Sequence, residues 1–457
     1  MGTLCGEGSA RCVNGSRQTT QHEPWHALVA RRLLSLRSRA PGQSGVSVWR
    51  RGRAQFIALL GSRALAGLCQ LLVLGMLARS LEPALYGSYA AYSSVLLLSL
   101  NLTDFGFGVR AMRLQAEAEA ARAAGWIVAI RLATSMTTCL LGWIIWSLII
   151  DLPSWYGIAI GLYLAGENFG DLTAGLILGR GGVYGAAVSI LARRAGTVLA
   201  FVTLGFGPDE AMSVLALAGF LGYGLGFMFS VRYVDMRLHS WRTFWRGGMR
   251  LWGLAGVANL QAADALLVSL AGGVQVAGLY SAPTRYASPL QLVTNVALQL
   301  ITPRLAARAL EDQLQLWNRA RLGMYAYLAL LAVGAFASPW LVVLLLGEAY
   351  QASWPALAAV MLVAGVSGLT QLNNSLVIVS VVPQRLIYAS LAAILLGLAI
   401  TAGGAATVGV WGAACGYLTT AMLLFLASEA TRRHVLRDPV SVRSGDEGQR
   451  PRKRASP

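Results

Sequence analysis

What most constrains this chain is a succession of apolar runs, each close to 20 residues long, that starts near residue 56 and continues almost without pause to residue 428. A run of that length crosses the ~30 Å hydrocarbon core of a bilayer as an α-helix rising 1.5 Å per residue. The runs fall near 56 to 77, 86 to 109, 124 to 150, 155 to 178, 183 to 205, 211 to 231, 251 to 270, 278 to 300, 323 to 345, 355 to 378, 386 to 403 and 408 to 428. Composition supports the same reading: 56% of residues are hydrophobic and 12% charged, against roughly 25% charged in soluble domains. The expected fold class is an all-α integral membrane protein of about twelve spans.

Charge orients the spans. The net charge of +17 does not signal nucleic acid, because the arginines gather in short segments between alternate runs instead of forming one basic stripe. Arg110, Arg113 and Arg122 follow the second run, Arg180 the fourth, Arg232 to Arg250 the sixth, Arg304 to Arg321 the eighth and Arg385 the tenth, and the end of the chain is basic again. The loops between carry almost no positive charge, and only Arg79 breaks the alternation. Positive charge stays on the cytoplasmic side, so both termini are expected inside. Residues 1 to 55 lack a secretory signal pattern. There Trp25, Val29, Leu33 and Leu36 recur at helical spacing beside Arg31 and Arg32, which fits a helix on an anionic membrane surface or a plain basic extension. Cys69, Cys139 and Cys415 sit singly inside apolar runs, so neither a disulfide framework nor a metal site is expected.

A repeat runs through the apolar region. Gly87-Ser-Tyr89-Ala-Ala91 returns as Gly278-Leu-Tyr280-Ser-Ala282, an offset of 191 residues; at the same offset Thr103-Asp104 meets Thr294-Asn295 and Arg113 meets Arg304. This predicts two six-span lobes of parallel topology, 56 to 235 and 251 to 430, joined by a basic linker at 236 to 250 and followed by a basic tail at 431 to 457. Such a duplication suits alternating access.

Charged residues inside spans are costly, about 2.5 to 3.5 kcal/mol each on insertion scales, and mark functional sites or internal pairs. The first lobe holds Arg63, Asp104, Arg131, Glu167, Asp171, Arg193 and Arg194. Glu167 and Asp171, four apart, share one helix face and can pair with Arg193 or Arg194. Since adjacent helix residues point apart, one of those two arginines is expected to do no more than pack. Four arginines against three carboxylates leave this interior cationic, suited to an anion such as a pyrophosphate. The second lobe offers Asp264 with Arg285 as a candidate pair and the amides Gln291, Asn295, Gln371, Asn373 and Asn374, expected to line the path of a neutral sugar. Arg63, Arg131, Arg193, Arg194, Asn295 and Asn373 are thus the candidate substrate-binding residues; Asp104, Glu167, Asp171, Asp264 and Arg285 are the candidates for pairing or coupling. Pro283, Pro289, Pro339 and Pro355 are placed to bend or begin helices.

Leu77-Ala-Arg79-Ser-Leu-Glu82-Pro83-Ala-Leu-Tyr86-Gly87-Ser-Tyr89, then Asp104-Phe-Gly-Phe-Gly and Arg113, resemble the polysaccharide flippases of the MOP exporter superfamily. Asp264, Val276-Ala-Gly278-Leu-Tyr280, Pro303-Arg304 and Gly347-Glu-Ala-Tyr350 are similar to that family's second-lobe patterns. The resemblance covers about 56 to 430 and departs at Glu82, where the family usually has Gly. It implies a V-shaped, MATE-like bundle in the bacterial inner (plasma) membrane that moves an undecaprenyl-pyrophosphate-linked oligosaccharide to the outer leaflet for surface polysaccharide biosynthesis. No cofactor is expected beyond an H⁺ or Na⁺ gradient. The implied partners are the lipid-linked oligosaccharide, anionic lipids and other polysaccharide-assembly membrane proteins. The rival readings are a cation-coupled multidrug exporter of the same superfamily and a polytopic polysaccharide polymerase or ligase. The polymerase lacks support, because all four histidines fall in expected cytoplasmic segments and no large external loop is present.

Overall fold

The computed structural model describes residues 45–104, 118–180, 182–233, 259–306, 310–380 and 384–437. The amphipathic segment around Trp25, the 236–250 linker, Arg113 and residues 438–457 of the final basic tail lie outside them. Residues 55–457 make one compact unit, and among the described residues every regular element is helical. In chain order the helices are α1 (Gly45–Ser80), α2 (Pro83–Leu102), α3 (Ala118–Ile149), α4 (Ser154–Gly179), α5 (Val183–Leu204) and α6 (Pro208–Tyr233). A 3₁₀ turn (Leu260–Ala263) then leads into α7 (Asp264–Gly272), α8 (Val274–Thr284), α9 (Ala287–Ala306), α10 (Leu310–Phe336) and α11 (Ser338–Leu346). A second 3₁₀ segment (Glu348–Ser353) precedes α12 (Trp354–Ser380), α13 (Gln384–Val408) and α14 (Val410–Arg437).

Seven of these helices are individually long and apolar enough to cross a membrane, or eight when α10 and α11, bent by 76° at Ala337, count as one span. The sequence reading places about twelve runs; the count of seven or eight concerns the described residues alone, and parts of the second and seventh runs lie outside them. Among the described residues some runs are divided into shorter helices, as α8 and α9 divide the eighth. Others, such as α4, carry charge inside the bundle: most of α4 is buried, including Glu167. Outward faces are apolar, with Leu148, Phe336 and Trp340 at least 75% exposed, as a lipid-facing surface requires.

Two glycines punctuate the spans. Gly273 (φ 86°) and Gly409 (φ 66°) adopt the left-handed conformation that glycine enters without steric cost. They reverse the chain between α7 and α8 and between α13 and α14.

The repeat is visible in the packing of α2 on α8. A Cβ on Gly87 would fall 1.7 Å from the Val274 carbonyl oxygen, and one on Gly278 would fall 1.7 Å from the Pro83 oxygen. Pro83 and Val274 are themselves equivalent at the 191-residue offset. Each glycine therefore meets the repeat-mate of the residue that its own repeat-mate meets, the reciprocity of a local twofold axis between the two helices. The copies then diverge. α2 runs unbroken, whereas its counterpart stops at Thr284 and restarts at Ala287. Pro289 has no N–H and its ring crowds the carbonyl four residues earlier, so the turn tightens, with Tyr286 N donating to Pro283 O at 2.9 Å. The equivalent positions in α2 are Tyr92 and Leu98, which leave the helix intact. Of the other prolines, Pro339 lies at the start of α11 just after the bend, and Pro355 does no more than begin α12.

Candidate functional site

Glu167 and Asp171 stand one turn apart on α4, facing α5. Arg193 lies across them, donating Nη1 to Glu167 Oε2 at 3.1 Å and Nη2 to Asp171 Oδ1 at 2.7 Å, with a further bond to the Glu167 carbonyl at 3.1 Å. Gly170 makes room: a Cβ there would sit 2.3 Å from Arg193 Nη1. Arg194 also reaches Glu167, Nη2 to Oε2 at 2.8 Å. Both adjacent arginines thus reach the same carboxylate. Their Cα–Cβ directions differ by about 100°, but both side chains are long enough to converge on a carboxylate lying between them.

Arg131 of α3 is 1% exposed. It donates Nη1 to the Leu100 carbonyl at 2.7 Å, in the last turn of α2, and Nη2 to Asn168 Oδ1, while Asp104 Oδ1 lies 3.8 Å away. A cation at a helix C-terminus satisfies orphan carbonyls and opposes the helix dipole. Arg131 is accordingly a positioning residue for Asn168 and Asp104, set behind the cavity wall.

The wall belongs to a cavity of about 530 Å³ between α1, α4, α5, the end of α2 and the start of α9, with Arg63, Gln70, Asp104, Asn168, Asp171 and Arg194 among its lining. The Asp171 side chain is 66% exposed into it. The lining itself pairs two arginines with two aspartates; the surplus positive charge expected from sequence emerges only when Arg131, Arg193 and Glu167 behind the wall are included. Both aspartates have an arginine at their back, Arg131 near Asp104 and Arg193 on Asp171. Arg194 is neutralised by Glu167. Among the described residues no carboxylate forms an ion pair with Arg63, so the unbalanced charge of the cluster resides there.

The second half departs further from expectation. Asp264 accepts bonds from the Ala265 amide at 2.6 Å and the Tyr280 hydroxyl at 3.1 Å; the expected Asp264–Arg285 ion pair does not form among the described residues. Tyrosine, a neutral donor, fills the place that charge counting gave to arginine. Asn295 lies on an exposed stretch of α9, outside the cavities described. Asn373 is 2% exposed and donates to Ser428 Oγ at 3.3 Å and Glu429 Oε2 at 3.2 Å. It is a buried link between α12 and α14 and lines neither of the two cavities described. Gln291 and Gln371 do line a second, smaller cavity.

Glu429 escaped the sequence reading because it lies one residue past the last apolar run. It is 7% exposed and takes Arg432 Nη2 at 2.5 Å, Arg432 Nε at 3.0 Å and Arg433 Nε at 2.9 Å besides Asn373. Arg432 in turn stacks over Trp317 of α10 at 4.5 Å, and Arg321 covers the same ring at 5.0 Å. Three helices are thus clamped through one carboxylate and one indole. Removing one partner of a buried pair costs about 3 kcal/mol or more. We expect Glu429→Ala to lower the thermal unfolding temperature of the detergent-solubilised protein clearly, and Arg433→Ala, whose side chain is 66% exposed, to leave it in place. Equal melting of Glu429→Ala and wild type would show that the clamp carries no stability.

No protein-family model matches the chain, and no curated protein matches its sequence. Solved structures do match. The inward-facing conformation of a multidrug resistance MATE family transporter of the MOP superfamily aligns at 15% identity with a TM-score of 0.63, over 81% of this chain and 96% of that one. An outward-facing conformation of a multidrug resistance MATE family transporter of the MOP superfamily aligns at 14% identity with a TM-score of 0.61, over 85% and 96%. A eukaryotic MATE transporter aligns at 13% identity with a TM-score of 0.55, over 84% and 99%. Likeness at these identities concerns the fold, and the fold is of the MATE and MOP type.

Proposed function

We propose that this protein is a transporter working by alternating access, and that its cargo is an anionic, lipid-pyrophosphate-linked oligosaccharide moved from the cytoplasmic to the outer leaflet. The fold supports the first half of the reading, since it is shared with transporters solved in inward-facing and outward-facing conformations. The observation that carries the second half is Arg63: it lines a 530 Å³ cavity without an ion-pair partner among the described residues, while both wall aspartates are backed by arginine. Guanidinium binds phosphate oxygens through paired N–H donors, and inside a membrane protein it gains more from such a contact than in water. Asn168, held by Arg131, and Gln70 add neutral donors around the same space. An enzyme reading has no comparable gathering of acid, base or nucleophile to rest on.

A multidrug exporter is the second reading, favoured by the fold relatives and by Asp104 and Asp171 in the wall, which suit an organic cation if their arginines let go. One experiment separates them. The full-length protein, reconstituted in vesicles, is offered a fluorescent polyprenyl-pyrophosphate oligosaccharide or an organic cation dye. The lipid should be flipped, and Arg63→Ala should slow it about tenfold or more, the loss of one charge-assisted contact, while Arg63→Lys keeps part of the rate. Dye movement with no lipid movement would replace this reading by the drug exporter.

A further inference from the structure

The second half contains a cavity of about 190 Å³ in which Gln261 from the first 3₁₀ turn, Gln291 from α9, Ser367, Thr370 and Gln371 from α12, and Tyr417 from α14 meet. At about 30 Å³ per water it has the room of roughly six waters, close to that of one monosaccharide ring. We propose that it is a saccharide subsite, binding one neutral pyranose unit of the glycan while the pyrophosphate occupies the arginine cavity; the assignment of cargo rests on the reading just given.

Three features point to this ligand class. First, among the described residues no Arg, Lys, Asp or Glu lines the cavity, so they offer no charge to hold a pyrophosphate, a uronate or a cation. Second, the three glutamine side chains are half-buried, and among the described residues none of their amides is engaged in a hydrogen bond within the protein. Each amide supplies two N–H donors and a carbonyl acceptor, which with no protein partner are left to whatever fills the cavity, water or ligand. A sugar hydroxyl both donates and accepts, so three convergent amides with two hydroxyls answer a ring bearing several of them. Third, the remaining wall is apolar, with Val363, Ala421 and Leu424 beside the Tyr417 ring, the surface that the C–H face of a pyranose covers. Tyr417 is itself braced edge-on by Tyr280, ring centres 6.2 Å apart.

Of the cavity's three glutamines, Gln291 and Gln371 are among the amides singled out in the sequence, whereas Gln261, inside the apolar run at 251 to 270, is not. Its membership of the cavity is a consequence of the 3₁₀ turn before α7, which swings it toward α9 and α12.

The test uses the full-length protein in lipid nanodiscs and three probes: polyprenyl pyrophosphate without sugar, the same lipid carrying a neutral oligosaccharide, and the free neutral oligosaccharide. Wild type should bind the glycosylated lipid about tenfold more tightly than the sugar-free one. Gln291→Leu and Gln371→Leu should erase that margin while leaving sugar-free binding unchanged, and Asn295→Leu, an amide outside the cavity, should preserve it. Ser367→Ala provides a milder variant if a leucine substitution impairs folding, and should reduce the margin in part. Equal weakening of both lipids, or an undiminished margin in the glutamine variants, would overturn the subsite. If wild type binds neither lipid, the pyrophosphate reading falls and the free oligosaccharide decides the subsite alone. Binding lost in the glutamine variants sustains it, and no binding, or binding indifferent to them, overturns it.

Discussion

Placing a single methyl group on Gly87 or Gly278 should abolish transport and lower the unfolding temperature by the equivalent of about 3 kcal/mol, the upper range for overpacking a tight site. The added Cβ would stand 1.7 Å from a backbone oxygen in either case, and a carbonyl fixed in a helix cannot turn aside as a side chain can. To regain ordinary contact near ~3.5 Å the α2 and α8 backbones would have to separate by roughly 2 Å. Because the contact is reciprocal, Gly87→Ala and Gly278→Ala should cost similar amounts, and the double variant should cost less than their sum, since separation forced by one relieves the other. Gly323→Ala, where a Cβ meets nothing within 4 Å, should instead stabilise slightly through helix propensity. Calorimetry of the purified variants reads all four. Full stability in either α2–α8 variant would mean the helices do not meet as described.

Arg193→Leu should be the most damaging single change in the charged cluster, about 3 kcal/mol. The guanidinium is 1% exposed and Glu167, its buried partner, 10% exposed; taking away the cation leaves a carboxylate short of bonds inside the bundle. The exposed Asp171 contributes little to that figure because water in the cavity solvates it, and Arg194 still reaches Glu167, which keeps the loss at the lower end for a broken buried pair. Adding Glu167→Gln should recover more than half of the loss by removing the stranded charge. The double-mutant cycle measures this coupling, and additive losses would show that the two side chains act independently. Arg63→Ala, by contrast, should melt like wild type and fail in transport.

The all-α class and the 191-residue offset that pairs Gly87 with Gly278 were legible in sequence because each depends on local quantities: run length, period and spacing. The Glu167–Asp171 pair on one face was legible for the same reason, helix geometry carrying a residue four positions along to the same side. Which arginine meets which carboxylate was not legible. Arg131 sinks behind the cavity because α2 ends at Leu100 to Leu102 against α3, and Arg194 converges with Arg193 because Glu167 lies between them. The break after Thr284 was foreshadowed by Pro283 and Pro289, yet its result, a first copy continuous and a second copy split, needed the packed pair of helices. Gln261 and Glu429 were passed over, one inside an apolar run whose 3₁₀ turn only the structure shows and the other just beyond an apolar run. Sequence thus determined that this chain fills a membrane with two related sets of helices, since hydrophobicity and repetition are written along the chain. Tertiary structure alone decided that, among the described residues, Arg63 forms no ion pair and three amides without hydrogen bonds meet, because those depend on side chains brought together from distant helices.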